Sequence, residues 1–221
     1  RLHAGIPDHR PQVHVLVELE PDPEQQVPLE DPGPNPRVAH GAEEDRIEAC
    51  LAALDFCDEL VVVDSHSRDR TRELAARRGA RVIERDWPGH VAQKEFTIRA
   101  ATHDWVLCID ADERVSPDLA AAVTALLAAG APPAGAYAIA RRNRFLGRWL
   151  AHGEGYPDWN VRLFDRRRAR WSDDPVHEHV VADGPVARLS GDLLHETAHP
   201  GGSRPRPVAR HPLARPPTGS R

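Results

Sequence analysis

Methionine is absent from the 221 residues, and lysine occurs once, as Lys94, against 28 arginines. The first absence means that Arg1 is not expected to be a native start. Cysteine is scarce. Cys50, Cys57 and Cys108 are odd in number and match neither a zinc nor a redox spacing, which favours a reduced, cytoplasmic setting. Long apolar runs are lacking too. The longest, Leu119 to Gly130, is about 12 residues, short of the roughly 20 that a membrane-spanning helix needs, and Pro132-Pro133 ends it. No basic segment leading into an apolar stretch opens the chain, so no signal peptide is expected. An excess of positive charge is also missing. Twenty-nine basic against 34 acidic side chains give a net charge of −5, so nucleic acid is not an expected partner and membrane contact is peripheral at most.

Proline is present and unevenly spread. Of the 21, eight fall in residues 1–40 and six in 199–221, where five arginines and no acid accompany them. Both ends read as irregular chain that buries little surface against its entropy. The middle is ordered. "DRIEACLAALDF" has helical apolar spacing with Asp45 as a possible N-cap. "ELVVVDS" is a β-branched run of the kind buried on both faces of a sheet. "SRDRTRELAARRG" is a helix closed by Gly79, and "ARVIER" is a strand. "HVAQKEFTIRAAT" is a helix and "DWVLCID" a strand. "SPDLAAAVTALLAAG" is a helix with Ser116 as N-cap and Pro117 at its first position. Alternating strand and helix predicts an α/β fold, a mostly parallel sheet flanked by helices. Ligands bind such sheets beyond the carboxyl ends of the strands, where Asp64 and Asp110 fall.

"WVLCIDADERVSP" places Asp110, Asp112 and Glu113 within four positions, where they repel one another. Two carboxylates one residue apart can share a hard cation, magnesium or manganese, that also takes substrate phosphates. The plainer reading is that Asp110 caps a turn and the other acids are solvated.

The stretches "ELVVVDSHS", "HVAQKEFTIRAATHDWVLCIDADERVSPDL", "RRNRFLGRWLAHGEGYPDWNVRLFDRRRARW", "VHEHV" and "LSGDLLHE" resemble family-two glycosyltransferases of the GT-A fold. They are most similar to the lipopolysaccharide core glucosyltransferase-like group, over about residues 43–197. The resemblance implies a Rossmann-like nucleotide-diphospho-sugar transferase fold and an inverting transfer from a nucleotide-diphosphate sugar. The acceptor would be a lipopolysaccharide-core, lipid-linked or other glycan, reached at the cytoplasmic face of the membrane. It further implies that Asp64 and Ser65 contact the donor with Gln93 and Asp110, and that Asp110 and Asp112 hold the cation. An inverting transfer needs a general base. Asp158 in "GYPDWNVRLF" is the candidate and Glu154 the next; a turn residue after Pro157 is the plainer reading of Asp158. Lys94 suits a diphosphate as a compact point charge, although a solvated helix residue fits as well. His177, Glu178, His179 and His195 invite a zinc reading, over which acceptor contact or surface placement is favoured. Trp149, Tyr156, Trp159 and Trp171 can stack on sugar faces or simply fill core.

Two features depart from the family pattern. Members begin with a hydrophobic strand running straight into an Asn-Glu-Glu-like turn, whereas "VHVLVEL" lies some two dozen residues before Glu43, Glu44 and Asp45. After "LLHET" the helical continuation gives way to proline and arginine. The expected organisation is an irregular or mis-called segment 1–40, a core 41–197 and a disordered tail 198–221. The alternatives are a non-catalytic remnant without the first nucleotide-binding strand, or a metal-dependent nucleotidyltransferase. The latter would usually carry a Gly-rich phosphate loop near its first strand, and none is present.

Overall fold

The computed structural model describes residues 12–19, 41–145, 147–153, 155–174 and 178–196. In chain order the elements are β1 (Val13–Glu18), α1 (Gly41–Ala52), β2 (Glu59–Asp64), α2 (Thr71–Arg77), β3 (Arg81–Glu84), α3 (His90–Ala100), β4 (Trp105–Asp110), β5 (Glu113–Val115), α4 (Pro117–Ala128), β6 (Ala136–Phe145), β7 (Arg148–Trp149), β8 (Asp158–Asp165), β9 (Ala169–Trp171), β10 (Val180–Ala182) and β11 (Val186–His195).

Nine strands form one sheet in the order β3-β2-β1-β4-β8-β6-β11-β5, with β7 paired to β6; β9 and β10 make a separate antiparallel pair. The strands β3, β2, β1 and β4 run parallel, β8 runs against β4 and β6, and β11 runs parallel to β6. The carboxyl ends of β1, β2, β4, β6 and β11 therefore share one edge with the start of β8. The mostly parallel, helix-flanked sheet expected from the sequence is present.

Alternation along the strands divides the core. Val13, Val15, Val17, Val62, Leu107 and Ile109 pack with Ile47, Leu51, Leu119 and Val123 on the side of α1 and α4. Leu16, Val61, Val63, Val106 and Cys108 pack with Ile98 of α3 and with Trp171 and Val180 of the small sheet on the other. Helices on one face, and α3 with the small sheet on the other, explain why β1, β2 and β4 read as nearly continuous apolar runs.

The segment 1–40, expected to be irregular, contains a core strand: Val13–Glu18 pairs with β2 on one side and β4 on the other, in the middle of the sheet. Hydrogen bonding on both edges and burial on both faces outweigh the long separation in sequence, since doubling a loop adds only about 0.6 kcal/mol of closure cost. The remnant reading loses its premise. Asp45 is also not an N-cap, because α1 begins four residues earlier and includes Glu43, Glu44 and Asp45. Residues 1–11, 20–40 and 197–221 lie outside the described residues. Among the described residues no helix is long and apolar enough to cross a membrane.

Candidate active site

The register of the sheet brings the chemical side chains to one edge. Glu18 of β1 lies opposite Val63 of β2 and Asp110 of β4. Asp64 and Asp110 thus flank β1 at the carboxyl edge, about 10 Å apart from two strand spacings. Asp64 is fully buried. Its Oδ2 accepts the Ser67 backbone N–H at 3.0 Å and faces Arg72 Nε at 3.7 Å, while its Oδ1 has no hydrogen-bond partner. The chain turns just beyond through His66, whose φ of 62° is a conformation that few residues other than glycine adopt. Ser65 and Gln93 are buried and joined, Gln93 Nε2 donating to Ser65 Oγ at 3.2 Å, and Gln93 Oε1 is left without a partner. Two buried acceptors without donors at the ligand edge of a sheet mark a place where donors come from elsewhere.

Lys94, one residue on from Gln93 in α3, is also largely buried. Its Nζ pairs with Glu178 Oε1 at 3.0 Å and sits 4.4 Å from the centre of the Trp171 ring. Burial disfavours the charge on Glu178, but Lys94 beside it more than offsets this and holds the carboxyl below its ordinary range. The other three rings named as sugar platforms are likewise covered by cations: Arg144 over Trp149, Arg142 over Tyr156 and Arg188 over Trp159, at 5.7, 5.5 and 4.5 Å.

The three clustered acids have separate surroundings. Glu113 is 1 % exposed and burial pushes its carboxyl up. Asp110 keeps a 37 % outlet to solvent, and its Oδ2 accepts Arg162 Nη2 at 2.8 Å. Burial opposes its charge, but Arg162 and then Lys94 outweigh this and hold it well below the usual carboxylate range. Asp112 turns the other way, its Oδ2 3.0 Å from His195 Nε2, and His195 Nδ1 is 2.7 Å from Asn143 Oδ1. The sheet fixes this chain of contacts, since His195 lies opposite Asn143 of β6 on one side and Glu113 of β5 on the other. The roles of the two ring nitrogens depend on the tautomer; the form with a lone pair on Nε2, which can ligate a cation, is the one whose Nδ1–H donates to Asn143 Oδ1.

Asp158 stands at the same edge, opposite Arg141 of β6. It is buried, and both contacts from Arg141, Nε at 3.0 Å and Nη2 at 2.8 Å, fall on Oδ2, which leaves Oδ1 out of the pair. The structure thus brings Asp64, Ser65, Gln93, Lys94, Asp110, Asp112 and Asp158 to one side of the molecule. His195, read from the sequence only within a zinc grouping, belongs with Asp112; Asn143, Arg141 and Arg162 were not singled out. The one signal for Arg162 was a charged residue inside the apolar stretch "VRLF". Glu154 and His177 lie outside the described residues.

Asp110 and Asp112 offer the oxygen donors that suit a hard divalent cation, whereas the His195 imidazole beside Asp112 is a softer donor. Among the described residues no group of three or more His, Cys, Asp or Glu side chains is gathered to hold a metal ion. A carboxylate and an imidazole in contact at a half-open edge are the partial set that such a cation completes with water and substrate phosphates.

The family described as glycosyl transferase family 2 matches residues 39–182. A lipopolysaccharide core biosynthesis glycosyltransferase, LpsC of Rhizobium meliloti (strain 1021), is 33 % identical over 160 residues, covering 69 % of this chain and 59 % of that protein. The chain therefore spans less than two thirds of that relative's length. An uncharacterised glycosyltransferase of Rickettsia prowazekii (strain Madrid E) is 48 % identical over 65 residues, 29 % of this chain and 22 % of that one. Among solved structures, Staphylococcus aureus TarS 1–349 aligns with a TM-score of 0.46 at 17 % identity, over 65 % of this chain and 39 % of that one. The mannosyltransferase PcManGT from Pyrobaculum calidifontis, in complex with GDP-Man and Mn2+, aligns with a TM-score of 0.41 at 25 % identity, over 60 % and 36 %.

Proposed function

The chain belongs to glycosyl transferase family 2, and from that premise we propose that it carries the donor half and the base of an inverting sugar transfer from a nucleotide-diphosphate sugar to a lipopolysaccharide-core or related glycan. The observation that carries this reading is the gathering, at one sheet edge, of the buried unpartnered acceptors Asp64 Oδ1 and Gln93 Oε1 with the Asp112–His195 contact. The acceptor class is supported by the similarity to LpsC.

Asp64 and Gln93 accept hydrogen bonds from the nucleoside, whose base N–H and ribose hydroxyl groups are the donors that these atoms lack. Lys94 offers its ammonium to the diphosphate in place of Glu178. Asp112 and His195 are the side chains to hold magnesium or manganese, with Asp110 beside them. Bound there, the cation would stabilise the charge that develops on the leaving diphosphate. Asp158 takes the proton from the acceptor hydroxyl as its oxygen bonds to the anomeric carbon and the bond from that carbon to the phosphate oxygen breaks on the opposite face. Arg141 fixes the carboxylate for that role through Oδ2.

Calorimetric titration of the chain with UDP and GDP, with and without manganese, tests the donor site. Asp112→Asn should weaken the manganese-dependent binding, because an amide is a poorer ligand for a hard cation than a carboxylate. Asp158→Asn should leave that binding nearly intact and slow sugar transfer by about 10²–10⁴-fold, the usual effect of losing a general base. Transfer by Asp158→Asn at the parent rate would mean that Asp158 only shapes a turn.

A further inference from the structure

We propose that Arg162 divides the labour between the two acids, drawing Asp110 out of the cation's reach so that Asp112 and His195 take it. The inference rests on the cation-dependent donor site proposed above and names a positioning residue for it. It comes from the path of β8. Between Tyr137 opposite Leu163 and Ala138 opposite Val161 the register slips, so that β8 carries one residue more than β6, at Arg162. Pairing of β8 with β4 stops at Leu107 opposite Leu163, at the same place. A bulge of this kind re-aims a side chain that a regular strand would point elsewhere. Here the re-aimed side chain is a guanidinium that is only 6 % exposed, and its target is the end of β4.

The contacts close a ring. Arg162 Nη2 donates to Asp110 Oδ2 at 2.8 Å and to Glu113 Oε1 at 3.0 Å, and Nη1 lies 3.5 Å from Asp110 Oδ1. Glu113 Oε2 accepts the backbone N–H of Asp110 at 3.0 Å. Both oxygens of Asp110 face one planar fork, a geometry that a lysine could not match. Asp112 takes no part in the ring; its contact is with His195. The repulsion among the three acids is thereby relieved for two of them by a resident cation, and the third is left for a visiting one. Without Arg162, both acids, one residue apart, would chelate the same ion, and the ion would also be freed from a neighbouring positive charge.

This predicts a signature that loss of packing cannot produce. Arg162→Gln should bind manganese alone about tenfold more tightly, since a nearby unit charge is removed and Asp110 is released. At saturating manganese it should bind UDP and GDP about tenfold more weakly, because the ion no longer sits where Asp112 and His195 place it. Arg162→Gln leaves Glu113 buried without its partner, so Arg162→Gln/Glu113→Gln, which removes one charge of each sign, is measured beside it, with thermal melting to show that each variant is folded. The same pair of opposite shifts is expected in the double variant. Manganese binding at or below the parent's affinity in the folded double variant would overturn the proposal while leaving the donor site standing. A parent chain that binds no manganese would overturn both.

Discussion

At the scale of the residue, the site depends on neighbours that fix protons and orientation. His195 faces Asp112 Oδ2 through Nε2 and Asn143 Oδ1 through Nδ1. Partners of this kind orient a ligating imidazole, and losing one typically costs 10–100-fold in metal affinity. Asn143→Ala should therefore weaken manganese binding by about that factor, seen by titration of the folded variant. No change would mean that His195 is not a ligand. Far from that edge, His14 is fully buried on β1, against Glu59 of β2, with Thr102 and the His103 ring beside it. Burial pushes its imidazole down to about 4, helped by His103, Arg166 and Arg81 and opposed by Asp58. The unfolded chain takes this proton near pH 6.5 and the folded chain only near 4. Stability contributed by neutral His14 is thus present above pH 6.5 and is lost as pH falls from there toward 4. Urea unfolding of His14→Asn between pH 7 and 4.5 should show a shallower fall than the parent; parallel curves would show that His14 does not titrate this way.

At the scale of the element, the approach of α4 to β11 is set by two residues. Ser116 Oγ accepts both the Leu119 N–H that caps the helix, at 3.2 Å, and the Asp192 N–H of the strand, at 3.0 Å. Gly191 has a φ of 93°, and a Cβ there would come within 2.3 Å of Leu119 N. Helix start and strand meet backbone to backbone, and only glycine fits. Gly191→Ala should cost more than the roughly 1–3 kcal/mol of the backbone conformation alone, because the contact adds to it. Ser116→Ala should cost about 1 kcal/mol, the usual value of an N-cap. Thermal melting of both variants checks the order, and a Gly191→Ala chain as stable as Ser116→Ala would show that the helix can shift. The helices themselves were legible. The Ser-Pro start of α4 is a local signal, and Gly79 and Gly130, just past α2 and α4, have the positive φ, 79° and 98°, of helix-closing glycines.

At the scale of the whole molecule, β1 holds together the parallel half of the sheet. It supplies Val15 and Val17 to one core and Leu16 to the other, all buried, and separates β2 from β4. Removing residues 1–20 should leave β2 and β4 without partners on their inner edges and abolish cooperative unfolding, as read by near-ultraviolet circular dichroism and melting. A truncated chain that melts cooperatively at the parent's temperature would mean that β2 and β4 can close on each other. The stretch "VHVLVE" is strand-like in sequence, but a pattern of alternation does not say which strands it will lie between.

What the sequence determined by itself is what local chemistry encodes: three parallel strands and their helices, the edge at which Asp64 and Asp110 must emerge, and the family to which those motifs point. Strand propensity, apolar period and capping act over a few residues and are readable within them. Only the tertiary structure decided that β1 sits between β2 and β4, that His195 meets Asp112 across 83 positions, and that a bulge turns Arg162 onto Asp110. Those outcomes follow from register, because a slip of one residue carries a side chain to the opposite face of the sheet. Register is settled by the packing of both cores together, and no single stretch of the chain contains that balance.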